Sequence, residues 1–352
     1  MENLKDRITI YNVAQKAGVS LATVSRVINK SGNVTEETRK KVEKVIAELG
    51  YKPSGLAQAL ATNKSTNIGL IIPSANYVYI SNMLSGITEI AKEKGYVLTL
   101  FTTSHSREEA ISMLDKIITA HVDGAIIFDD QLNQDDIKKI SSYNVPTVVI
   151  DNKIAGDKIA NILFNYDAAV KSNIESYYNT GKTKPMIFIH VHNAGRLASR
   201  CEKTFIKTHE DLGKEYQIIN ADDSYQHTYN DFVEYFKHHH HGSFIAYRDS
   251  IAAGILNAAT DRGLKVPEEV EVISLVGTKY AHICRPSITS LFIDMSEVGK
   301  KAMYMLTDLM NNELIEKTAK IEPELQERQT TIHEADALAM YKTRLAKEGK
   351  AE

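Results

Sequence analysis

Residues Thr9–Asn29 read TIYNVAQKAGVSLATVSRVIN, and this stretch decides the N-terminal part of the fold. Ile10, Val13, Ala14 and Ala17 recur at helical spacing, so one face of a first helix is apolar. Gly18 supplies a residue that enters the left-handed region at little cost, which suits a tight turn. Ser20 stands where its hydroxyl caps the free N–H groups of a second helix. On that helix Val24, Val27 and Ile28 face inward, and Leu21, Ala22, Ser25, Arg26 and Asn29 are left to point outward. Two short helices at a tight turn form a helix-turn-helix, whose second helix lies in the DNA major groove with its N-terminal residues at base edges. Arg26 is the strongest base-reading candidate, because a guanidinium bonds guanine O6 and N7 together. Ser20, Thr23 and Ser25 suit phosphate or sugar, contacts that set register without reading sequence.

The neighbouring sequence agrees. Thr35 caps a third helix running to about Leu49, with Val42, Ile46 and Leu49 on its inner face. Residues 1–64 carry eleven Lys and Arg against six Asp and Glu, a net of +5, in a chain whose total is −3. The remaining residues therefore carry −8, the pattern of a polyanion-binding head on a body that does not bind nucleic acid.

The positions Val13-Ala14, Ala17 to Ser20, Thr23 to Val27, Asn29, Thr38-Arg39, Val42, Leu49 to Tyr51 and Pro53 closely resemble the lactose-repressor (LacI/GalR) family of bacterial transcription regulators. Leu21-Ala22 with Arg26 is most similar to its catabolite control branch, where that combination goes with a pseudo-palindromic operator having a central C-G step. The resemblance adds Thr9 to the DNA contacts. It also makes residues 53–65, within YKPSGLAQALA from Tyr51 to Ala61, a hinge helix and linker. In the family, two hinge helices of a dimer enter the minor groove together. Leu60 matches the residue wedged into the central step, and Leu56 and Ala57 would pack on the partner hinge. Apolar wedges unstack and kink DNA at steps that yield easily. Gly55 departs from the usual helix former, and Gly costs about 1 kcal/mol against Ala within a helix. The hinge is therefore expected to fold only on DNA.

From Asn67 onward, β-α alternation predicts two doubly wound parallel sheets. Strands are expected near Ile68–Ile72, Tyr96–Phe101, Val122–Phe128, Pro146–Ile150, Pro185–His190, Ser243–Tyr247 and Glu271–Leu275. Helices are expected near Ile80–Lys94, Arg107–Ala120, Ala168–Thr180, Arg200–Leu212, Asp231–Lys237, Ser250–Arg262 and Ser296–Asn311. The fold class is thus an all-α head with a hinge helix plus an α/β body, which the resemblance makes a two-lobed, periplasmic-binding-protein-like one. The expected organisation is a head over 1–52, a first lobe over 66–164 and 293–322, a second over 165–292 and 323–331, and a tail over 332–352. In the tail, Leu338 and Leu345 stand one heptad apart, too little for a tetramerising coiled coil, so a docked or frayed helix and a homodimer are expected.

Ligands of such sheets bind beyond the carboxyl ends of the strands. Family matching puts Pro73, Asn76, Tyr77, Tyr79, Ile80, Asp151, His192, Arg200, Arg248 and Val276 at the cleft, with Arg200 gripping sugar hydroxyls. Relatives usually end the strand after Glu271 in Gly, an aromatic and Asp, whereas Val276 takes the place of that carboxylate here. Arg248 stands where Asn or Thr is common. A site that loses an acceptor leaves polar partners unpaired. The expectation is therefore that Arg200, Arg248 and Arg196 favour an anionic effector such as a sugar phosphate over a neutral sugar. Two alternatives are a cleft without an effector and arginines paired with local carboxylates.

Other features point to no catalyst. His190, His192 and Cys201 lie close in sequence without a base and orienter. His238–His241 lacks a carboxylate or Cys partner and reads as a solvated loop. No metal or cofactor is expected. Cys201 and Cys284 fit no redox motif and suit a reducing cytoplasm. No apolar run approaches a membrane span, and no signal peptide is read at the N-terminus. The function expected is a cytoplasmic, homodimeric DNA-binding repressor of carbohydrate-metabolism genes. The alternative is a global regulator or activator controlled by a serine-phosphorylated phosphocarrier protein. A solute-binding receptor is disfavoured by the head.

Overall fold

The computed structural model describes residues 8–29, 31–52, 65–104, 106–192, 194–313 and 316–347. It divides into two compact units, residues 1–66 and 67–352. The hinge residues Gly55, Leu56, Ala57 and Leu60 lie outside the described residues.

The first unit holds α1 (Ile10–Ala17), α2 (Leu21–Ile28) and α3 (Glu36–Leu49). Gly18 closes α1 at φ 62° and turns the chain into α2. The Ser20 hydroxyl accepts the Thr23 N–H at 3.1 Å, and Thr35 caps α3 in the same way. Val13, Ala17, Val24, Val27, Val42, Val45 and Tyr51 form the small core, with Ile46 and Leu49 packed partly against it. Val45 was not expected there. Its burial shows that the inner face of α3 is turned slightly from the one read in the sequence.

Among the described residues, the second unit contains two six-stranded sheets. The first consists of β1 (Asn67–Ile72), β2 (Val97–Thr102), β3 (Gly124–Ile127), β4 (Thr147–Ile150), β5 (Ile159–Phe164) and β11 (Thr318–Ile321), in the order β11-β5-β4-β3-β1-β2. The second consists of β6 (Met186–Val191), β7 (Tyr216–Ala221), β8 (Gly242–Ala246), β9 (Val270–Ser274), β10 (Thr289–Phe292) and β12 (Glu324–Gln326), in the order β12-β10-β9-β8-β6-β7. All pairings are parallel except β10 with β12. Central strands such as β3, β4, β8 and β9 are buried throughout, as parallel strands between helical layers should be.

Helices cover these sheets: α4 (Val78–Lys94), α5 (Arg107–Thr119), α6 (Gln134–Ser142), α7 (Tyr166–Asn179), α8 (Arg196–Leu212), α9 (Tyr225–Tyr235), α10 (Asp249–Asp261), the short α11 (Lys279–Ile283), α12 (Met295–Met310) and α13 (Glu334–Lys347). The chain passes from the first sheet to the second after β5, returns after β10, and crosses once more between β11 and β12. On the return, α12 packs on α4 at a close crossing. A Cβ on Gly86 would collide with the Ser296 carbonyl oxygen, and one on Gly299 with that of Met83. The tail helix α13 is docked: Ala337 is buried and the Tyr341 ring sits over Gly181.

Two helices start a full turn or more earlier than their sequence patterns suggested. The first, α8, begins at Arg196 instead of Arg200, directly after Gly195 at φ 93°. The second, α9, begins at Tyr225 under a Ser224 cap instead of at Asp231.

Candidate functional site

On the head, Ala22 and Arg26 are exposed along α2, flanked by exposed Ser20 and half-buried Thr23, Ser25 and Asn29. Asn29 donates to the Ser25 hydroxyl at 3.3 Å. Thr9, exposed at the start of α1, donates its N–H and hydroxyl to Asn12 Oδ1. Leu21 corrects the outward reading, since it is partly buried against the head core. The stem of Arg26 lies against Gly32, where an added Cβ would meet Cδ at 3.3 Å. Exposed Lys40, Lys41 and Lys44 on α3 add positive charge. Tyr11, not singled out from the sequence, is 67% exposed on α1.

In the body, a cavity of about 280 Å³ opens between the carboxyl ends of the two sheets. Rings follow one another along its wall. Tyr77 and Tyr79 stack at 5.5 Å, and Tyr79 meets Phe128, Phe128 meets Phe164 and Phe164 meets Tyr166 edge to face at 6.3–6.4 Å. Tyr247, Leu197, Val276, Ile293 and Met295 complete the apolar lining. Burial raises the pKa of Tyr79, Tyr166 and Tyr247 above the ordinary phenol value, so all three keep their protons at neutral pH.

Four carboxylates reach the same space: Asp129, Asp130, Asp151 and Asp223. Asp129 accepts from the Thr103 hydroxyl and the Gln131 N–H. Asp130 pairs with Arg196 at 3.5 Å and accepts its backbone N–H at 3.1 Å, at the N-terminus of α8. Gly195 makes this approach possible, for a side chain there would strike Asp130. Asp151 pairs with Arg200 at 3.1 Å, yet burial, outweighing that guanidinium, pushes its carboxyl up to about 6. Arg248 pairs with Asp223 and lies over the Tyr77 and Tyr247 rings, 5.0 and 5.9 Å from their centroids. The Arg196–Asp130 and Arg200–Asp151 pairs and the Arg248–Tyr77 contact all bridge the two sheet layers, because β3, β4 and Tyr77 belong to one side and α8 and Arg248 to the other.

The family model for bacterial regulatory proteins, lacI family, matches residues 9–54, and a periplasmic binding protein-like domain matches residues 175–331. The chain is 31% identical to the HTH-type transcriptional regulator pepR1 of Lactobacillus delbrueckii subsp. lactis, over 94% of this chain and 99% of that protein. It is likewise 31% identical to catabolite control protein A of Streptococcus mutans, with the same coverage. The chain belongs to the lacI family. It is a DNA-binding transcriptional regulator and not an enzyme. Its fold is also that of the lac repressor dimer bound to operator and the anti-inducer ONPF, with TM-score 0.78 and 23% identity over 93% of this chain and all of that one. A LacI-family regulator from Silicibacter pomeroyi superposes with TM-score 0.80 and 20% identity, over 92% of this chain and 99% of that one.

Of the cleft residues expected for this LacI-family chain, Pro73, Tyr77, Tyr79, Asp151, His192, Arg248 and Val276 line the cavity. Asn76 does not; it is exposed, its N–H turned to Ser74. Ile80 is buried in the core behind the wall. Arg200 stands behind Asp151, tied also to Asp167 and the Phe164 carbonyl. The three arginines expected to attract an anion are each paired with a carboxylate. Asp129, Asp130, Asp223, Tyr166 and Tyr247 were missed, because each lies on a loop or turn or, for Tyr166, at the start of α7, and its place in the cleft depends on the packing of both sheets. The Asp129-Asp130 pair at the end of a strand was the only local signal.

Cys201 is buried and its thiol is pushed up to about 12 by that burial. His190 bonds Glu202 at 2.7 Å, and the His239 ring stacks on Tyr235 at 4.1 Å. No helix among the described residues is long and apolar enough to cross a membrane.

Proposed function

We propose that this protein is a homodimeric repressor that reads a pseudo-palindromic operator through α2 and is controlled by a small molecule in the cavity of its body. The observation that carries the first half is the exposed row of Ala22 and Arg26 on α2 with its exposed cap Ser20, beside the exposed Lys40, Lys41 and Lys44 of α3. Arg26 reads a base pair. Thr9, Ser20, Thr23, Ser25 and Asn29 hold phosphate or sugar, and Leu21 and Ala22 shape the fit against neighbouring bases. Two heads of a two-fold dimer meet two half-sites, and the hinge residues Leu56, Ala57 and Leu60 act at the centre. Operator mapping followed by gel shifts with symmetric and single-half-site DNA tests this reading. Equal affinity for one and two half-sites would overturn it.

The effector is a hydroxylated small molecule. Carboxylates at the cavity wall offer lone pairs to hydroxyl donors, and ring faces take apolar C–H surfaces. A LacI-fold regulator, CelR, has been solved as a cellobiose complex, at 22% identity and TM-score 0.62 over 92% of this chain and all of that one. Carbohydrate genes as the regulated set and a cytoplasmic location follow from this reading. Control by a phosphorylated carrier protein rests on the likeness to catabolite control protein A alone. A gel shift with and without the phosphorylated carrier decides it.

A further inference from the structure

The cavity of the body has an aromatic wall of unusual extent. Among the described residues, six rings line it: Tyr77, Tyr79, Phe128, Phe164, Tyr166 and Tyr247. Four of them run edge to face in series, Tyr79 to Phe128 at 75°, Phe128 to Phe164 at 80° and Phe164 to Tyr166 at 80°. With Leu197, Ile293 and Met295 this series is continuous with the buried core. A ligand surface turned toward it exchanges water mainly for carbon, so hydroxyl groups there would lose their water largely unpaired. The polar tips of the series, the phenols of Tyr79 and Tyr166, keep their protons and can donate to a ligand oxygen that carries no hydrogen of its own.

The charged groups beside this wall answer one another. Asp130 pairs with Arg196, Asp151 with Arg200 and Asp223 with Arg248, while Asp129 accepts from Thr103 and the Gln131 N–H. An uncharged ligand leaves these partners in place, whereas a charged one would compete with them. Carboxylate oxygens still have lone pairs for hydroxyl donors. At about 280 Å³ the cavity lies near the lower bound of ligand pockets, about 300 Å³, so its ligand is compact.

We infer, building on the reading of this cavity as the effector site, that the effector is an uncharged aryl glycoside, a sugar joined through its glycosidic oxygen to an aromatic ring. The aromatic ring continues the edge-to-face series at Phe128 and Phe164, and the glycosidic oxygen accepts from a phenol. The sugar hydroxyls donate to the carboxylates. A saturated ring offers C–H groups to the ring faces but has no π-face for the ring edges that the series also presents.

Calorimetric titration of the full-length protein tests this with the phenyl, cyclohexyl and methyl β-glycosides of glucose and of galactose. Cellobiose, glucosamine and glucose 6-phosphate are titrated alongside. For at least one of the two sugars, the phenyl member is expected to bind about tenfold tighter or better than the methyl member. It is also expected to bind more tightly than the cyclohexyl member and the three further compounds. Phe128→Leu, which removes one ring of the series and keeps the wall apolar, is expected to narrow the phenyl-to-methyl ratio. Four results would overturn the inference: phenyl binding no tighter than methyl or cyclohexyl for both sugars, tightest binding of one of the three further compounds, a ratio unchanged in Phe128→Leu, or no binding by any compound. Val276→Trp, which fills the cavity, separates the two levels of the argument. If methyl and phenyl members bind alike and this variant abolishes both, the effector site stands and only the aromatic ring falls. If binding survives the variant, the site itself is misplaced.

Discussion

Arg26 and Asp151 are both charged, and their surroundings give them opposite tasks. Arg26 is exposed on α2 with its stem resting on Gly32, so its guanidinium is free to meet a base edge. Arg26→Ala is expected to cost about 1–3 kcal/mol at one base pair and to flatten discrimination there. Gel shifts against single-base operator variants check this, and unchanged discrimination would remove Arg26 as the reader. Asp151 is buried, and its carboxyl titrates at about 6 instead of in the ordinary carboxylate range. The folded protein thus holds this proton more tightly than the unfolded chain does. The group's contribution to stability is most favourable when it is protonated, and declines as pH rises from about 4 through about 6. Asp151→Asn should remove that decline, so denaturation midpoints of wild type and variant should diverge in slope between those pH values. Parallel curves would assign the pH dependence to other groups. The role of Arg26 was legible because helical spacing alone turns it outward. That of Asp151 was half legible: its place at the cleft followed from the family, but its proton affinity depends on how β4 and α8 bury it.

At the level of elements, local rules and tertiary contacts can be separated by substitution. Ser20→Ala should cost about 1 kcal/mol, the value of a lost helix cap, and thermal melting of the full-length protein would show it in the head. Gly86 and Gly213 make a second contrast. Gly213 ends α8 at φ 61° with open space around it, so Gly213→Ala should cost only the left-handed strain, about 1 kcal/mol. Gly86 lies at the α4–α12 crossing, where a Cβ meets backbone that cannot step aside, so Gly86→Ala should cost about 3 kcal/mol. Equal denaturation midpoints for the two variants would contradict this assignment. The cap at Ser20 was readable from residue type. The tight crossing was not, because it pairs residues more than two hundred positions apart. Missed elements have similar causes. The edge strand β7 has no fully buried residue, and α6 is short and strongly polar, so neither shows a clear buried face in one dimension.

For the whole molecule, the charge asymmetry makes operator binding an ion-exchange process. Each neutralised phosphate contributes about −0.9 to the slope of log affinity against log salt, so binding measured by fluorescence anisotropy should weaken steeply with salt. Leu60→Ala should leave most of that slope in place while abolishing the central bend seen by circular-permutation gel shift. An unchanged bend would refute the wedge. The sequence by itself determined the DNA-reading class, the three-helix head and the alternating α/β body, because helix faces, caps and buried strands are written in residues close together along the chain. Only the tertiary structure decided the character of the cleft. It paired Arg196, Arg200 and Arg248 with carboxylates from distant segments, and it brought Asp129 and Asp130 to the wall. The physical reason is that charge balance in a cavity belongs to the set of side chains that converge there, and that set exists only once both sheets are packed.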